Sequence, residues 1–133
     1  MKNGLAVIIL LLITSCSIKS QFVSGIEYRI IKIDSIKNIY LIYAEKSSVV
    51  IKDTDIIKIA SIKSKNKCEI NKLIINNKKY KFNLTSLYPK NFVSHHYLGG
   101  ITFNEIFVPF EKDYNVKKDL FTTEDLEGLC YKH

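Results

Sequence analysis

Adjacent His95 and His96, followed by Tyr97 and, beyond Gly99-Gly100, by Phe103, are the residues whose types best suit chemistry or recognition in this chain. Imidazoles ligate metals and move protons. Neighbours along an extended chain point to opposite faces, however, so the histidine pair makes a poor chelate. Ser94 precedes His95 without the glycine-flanked elbow that activates a serine, and the sequence holds no G-x-S-x-G, H-E-x-x-H or glycine-rich phosphate loop. Carboxylates come in pairs, Asp53 with Asp55 and Glu124 with Asp125, at places where turns and helix starts favour them. These residues argue for no reaction, no metal and no cofactor, but for contact. His95, His96, Tyr97 and Phe103 form a loop of costly side chains without an evident folding role, and its two glycines allow close backbone approach to a partner. The competing reading makes the same residues a hydrophobic plug closing one end of the fold.

The beginning of the chain says where such contacts would occur. Lys2 provides a positive start, Leu5 to Ile13 an unbroken apolar run, and Ile13-Thr14-Ser15-Cys16 ends it on small residues and a cysteine. This is the layout of a secretory signal, and the run is shorter than the ~20 residues a membrane span needs. The sequence ITSC resembles the lipobox of bacterial lipoproteins. That resemblance implies cleavage after residue 15 and acylation of Cys16, which would tie the protein to a lipid bilayer in the bacterial cell envelope. Ser17, in place of the aspartate associated with inner-membrane retention, points by the same resemblance to the outer membrane. The alternative is an ordinary secretory signal cleaved near Ser15. With the strand-rich body, the segment IINNKKYKFNL and the C-terminal EGLCYK, the chain resembles small lipoproteins of Bacteroidota, a likeness that carries location and anchoring but no activity.

If Cys16 is acylated, Cys68 and Cys130 remain as an even pair in an oxidising compartment, where they are expected to join; two free buried thiols are the alternative. Loss of Lys2 with the leader lowers the formal net charge from +7 to +6. The lysines, among them Lys32, Lys58, Lys63 and Lys72, stand singly or in pairs, often between apolar residues, as on the solvated face of a strand. Export makes nucleic acid the wrong partner. An anionic membrane or lipopolysaccharide surface suits the charge better.

The elements that must position the loop are short and apolar-alternating. Residues 17–24 read as a tether, with the lipidated segment running from Cys16 to residue 24 and a single β-rich domain over 25–133. Ile26, Tyr28 and Ile30 share one parity, after which Ile31 and Ile33 take the other, a phase change that predicts a bulge or sharp bend. Lys37-Asn38 is a turn into Ile39–Ala44, a continuous apolar run expected to be covered on both faces. A third strand follows over Ile56–Ile62, and Leu73–Ile75 with Tyr80–Leu84 read as a hairpin around Asn76-Asn77. Ile101–Phe110 reads as one strand, with Pro109 at an edge or an end. Thr122 or Thr123 is expected to cap a short C-terminal helix stopped at Gly128, leaving Leu129-Cys130-Tyr131 to pin the tail and terminal His133 mobile.

The fold expected is mostly β: a small antiparallel, partly open barrel or strongly bent sheet, OB-like by analogy alone, with a short C-terminal helical turn. Eight tyrosines suit either a recognition platform or the margin of a small core. Two function classes remain. One is a binding or adaptor module that takes an envelope protein or glycan; the other is a structural accessory subunit of an envelope complex.

Overall fold

The computed structural model describes residues 24–47, 56–90 and 98–133. Its longest pair of strands, β1 (Ile26–Ile36) and β2 (Ile39–Lys46), is antiparallel, and the register slips between Ile30 and Lys32. That bulge is the phase change seen in the sequence. Before it Tyr28 and Ile30 face one core, and after it Ile33 does, so the extra residue lets a bent strand keep its apolar side inward. Lys37 closes the turn at φ 51°, and β2 is covered on both faces as its unbroken apolar run requires.

β3 (Ile57–Ile62) pairs antiparallel with β2, and β4 (Lys79–Phe82) with β1. On the far side β5 (Thr85–Ser86) pairs with β8 (Phe121–Thr122), which meets β3 in parallel at Ile59 and Phe121. The result is a six-stranded sheet in the order β4-β1-β2-β3-β8-β5, curled into a half-barrel. Two hairpins complete the described fold: β6 (Gly100–Phe103) with β7 (Ile106–Pro109), and β9 (Leu126–Glu127) with β10 (Cys130–Tyr131).

The hairpins cover opposite faces. Tyr28, Ile30, Ile42, Ile59 and Phe82 pack with Leu126 and Tyr131 in one core, whereas Leu41, Tyr43 and Ala60 pack with Ile101, Val108 and Leu120 in the other. The tyrosines serve these margins: the Tyr131 ring lies edge-on to Tyr80 and Phe82 at 5.2 and 5.8 Å. Residue 68 is joined to residue 130 by the expected disulfide, with Cα atoms 5.6 Å apart.

Several local expectations are corrected. Asn77 does make a turn at φ 69°, but the strand after it pairs with β1, while Leu73 bridges Cys130; the hairpin is not formed because each side pairs elsewhere. Residues 101–110 are two strands, not one, turned at Asn104-Glu105, both at positive φ, and Pro109 ends the second. No C-terminal helix forms. Thr123 and Asp125 bond to each other in a turn between β8 and β9, Gly128 adopts φ 57° between β9 and β10, and the helical turn of the described residues is a 3-10 turn at Ile70–Lys72. His133 is not loose, since its Nε2 lies 2.7 Å from Asp125 Oδ1. Gly100 approaches β7, not a partner: a Cβ there would press on the Val108 carbonyl.

Candidate binding site

The larger described cleft, about 430 Å³, opens between the end of β3 and residues 122–128. Ser61, buried in β3, donates to the Gly128 carbonyl at 2.8 Å and so fixes the β9–β10 turn against the sheet. The lining continues with Thr122 at the end of β8 and with Thr123 and Glu124 after that strand, which is seated by Asp119: its carboxylate takes the Ser86 hydroxyl at 2.6 Å and the Leu120 N–H at 2.7 Å. Ala60 and Leu126 give the cleft an apolar floor, and Phe103, at the tip of β6, supplies an aromatic wall. Glu127 is held from outside by Asn66 Nδ2 at 2.5 Å and Ser64 Oγ at 2.9 Å, and these two bonds keep its carboxyl below the usual range. The volume falls within the range of small-molecule sites. Its chemistry is a ring face beside hydroxyls and two carboxylates.

A second cluster sits under the β6–β7 hairpin. Lys58 belongs to a strand whose neighbours are all apolar, and it is buried, not solvated as its spacing suggested. Ile57 and Ile59 take one core, which leaves Lys58 pointing into the other. Its ammonium donates to the Pro109 carbonyl at 3.2 Å and lies 3.1 Å from Glu111 Oε1, the atom that also accepts the Tyr43 hydroxyl at 2.6 Å. Burial first, then the bond to Glu111, pushes the Tyr43 phenol well above its ordinary range. The Tyr43 bond, against some opposing burial and with help from Lys58, draws Glu111 below its own. Lys32 caps the Tyr43 ring at 4.3 Å from its centroid. The arrangement clamps the end of β7 to β2 and β3. Its cleft of about 270 Å³ is smaller, and every polar atom named is already engaged with another.

Of the loop residues picked out in the sequence, His95, His96 and Tyr97 lie outside the described residues, as does Cys16. Phe103 is described and lines the larger cleft. Cys68 and Cys130 meet, and Cys130 pairs in register with Glu127 of the cleft lining. Among the described residues no three His, Cys, Asp or Glu side chains gather as a metal site. The Ser61, Thr122, Thr123 and Glu127 wall was not foreseen, because it joins segments some sixty residues apart in sequence through single hydrogen bonds. Lys58 did leave a signal: a lone charge inside IIKIA, where both flanks are buried. Compared with known proteins, the chain matches no family, no curated sequence and no solved structure.

Proposed function

We propose that this chain is a lipid-anchored protein of the bacterial envelope, held through acylated Cys16, whose β domain is a binding module for a hydroxyl-rich ligand, an envelope glycan. The observation that carries the ligand class is the cleft of about 430 Å³ lined by Phe103 together with Thr85, Thr122 and Glu124, whereas Ser61, Thr123 and Glu127 of the same lining are held by other residues of the chain. A ring face packs against the C–H face of a sugar, and hydroxyls and carboxylates satisfy its O–H groups. The anchor is supported by the apolar run ending in ITSC.

Titration of the protein with envelope oligosaccharides, followed by calorimetry, tests the module. Phe103→Leu, which removes the ring face but keeps apolar packing against the second core, is expected to weaken saturable binding at least tenfold with the melting temperature nearly unchanged. Absence of saturable binding, or binding indifferent to Phe103, removes the glycan reading. Intact-mass measurement of membrane-extracted protein tests the anchor: a mature chain beginning at an acylated Cys16 is expected, and an unmodified cysteine rejects it.

A further inference from the structure

The positive charge of the protein is concentrated, not scattered. Residues 63–81 hold seven lysines against the single acid Glu69, a surplus equal to the net charge of the whole chain once Lys2 is lost, so the rest is balanced. The same segment exposes apolar side chains that neither core uses. Ile70, in the 3-10 turn, is 89 % exposed and Ile75 is 55 % exposed. Lys67, Lys72 and Lys78 are exposed around them.

From Cys68 onward this segment lies, like the start of the domain, against the tail and the β4 edge of the sheet, whereas Lys63 bonds to Asn38 at the far end of β1. The Asn83 side-chain amide donates to Ser24 at 3.1 Å, and the Asn83 N–H donates to Asp125 at 2.7 Å. Lys132 N–H returns to the Asp125 carbonyl, and one β-strand step further Ile74 N–H donates to Leu129 O. The attachment point of the chain and the turn bearing Ile70 and Ile75 are thus stitched to the same short tail beside β4.

Eight peptide units connect Cys16 to Ser24 and reach ~28 Å at most. A domain of this size is about 34 Å across, and wrapping a chain halfway round it takes about 53 Å. An acylated Cys16 therefore keeps the Ser24 side toward the bilayer.

We infer that the segment 67–81, with Ile70 and Ile75 inserted among its lysines, rests on the anionic phospholipid surface of the bilayer that holds the anchor. The inference rests on the acylation of Cys16. Lysine ammonium groups attract headgroup phosphates within a Debye length, and the two isoleucines leave water for the acyl boundary.

The test is lysine acetylation footprinting of the purified lipoprotein reconstituted in vesicles, read by mass spectrometry. In phosphatidylcholine with phosphatidylglycerol, Lys67, Lys72 and Lys78 are expected to react several-fold more slowly than in phosphatidylcholine alone. Lys37, at the other end of β1, is expected to react equally in both. Equal rates at all four lysines, or protection of Lys37 to the same degree, overturns the docking; so does protection that grows with protein density at fixed lipid composition, which marks a second copy of the chain. Lys72→Glu with Lys78→Glu is expected to abolish protection of Lys67 at unchanged melting temperature, and retained protection overturns the inference. An unacylated Cys16 in the same sample fails the anchor, and the docking with it.

Discussion

The Lys58 ammonium lies 3.1 Å from Glu111 Oε1 although Lys58 is only 3 % exposed. A buried charge without a partner is costly, whereas Glu111 is 38 % exposed and keeps water as a substitute. The two ends of the pair are therefore unequal. Glu111→Ala is expected to destabilise by about 2 kcal/mol, below the usual cost of breaking a buried pair because of that exposure, and Lys58→Met by less. Urea unfolding at pH 7 measures both.

The same carboxylate gives a pH signature. Its folded pKa is depressed, so its contribution is fully present above the ordinary carboxylate value and is lost as pH falls through the folded value. Stability of the wild type should decline below about pH 4, and Glu111→Ala should decline less steeply over that window.

Asp125 is the second acid-sensitive joint. Burial would raise its pKa, but the Asn83 N–H, His133 and Thr123 outweigh it and draw the carboxyl down. Its contribution too is present above the unfolded value and fades as pH falls. Asp125→Ala is expected to cost about 2 kcal/mol at neutral pH, with the difference from wild type shrinking toward pH 3; denaturant midpoints across that range decide it.

Joining Cys68 to Cys130 closes a loop spanning 62 positions. Reduction, or Cys68→Ala with Cys130→Ala, should remove roughly 4 kcal/mol and lower the melting temperature by more than about 10 °C. Scanning calorimetry with and without reductant reads the change.

Asn104 and Glu105 sit at φ 50° and 64° between β6 and β7. Two such residues in a two-residue turn want Asn-Gly. Glu105→Gly is expected to stabilise by about 0.5–1 kcal/mol, visible as a higher urea midpoint with unchanged slope.

What the sequence announced was whatever local periodicity controls. The parity switch at Ile30-Ile31 became the β1 bulge, and the unbroken run Ile39–Ala44 became a strand covered on both faces. Where two structures share the same local chemistry, the sequence misled. A threonine followed by an aspartate two residues on serves a helix cap or a tight turn, and at Thr123–Asp125 the nearby strands selected the turn. Leu73 and Tyr80 stand either side of a sound turn, yet Cys130 and β1 offered each a better partner. Part of the candidate site was legible: Phe103 could be marked as an unexplained aromatic, but the hydroxyl wall depends on long-range pairing, which leaves no periodic trace.

One core is closed by residues that are made long after those they cover. Leu126 and Tyr131 complete the packing around Phe82, and Cys130 holds Cys68. Because synthesis starts from the other end, that core stays open and the cross-link unmade until residues 126–131 have emerged. Residues 28–82 are thus obliged to wait for their cover, and the half-barrel cannot set piece by piece as it is made.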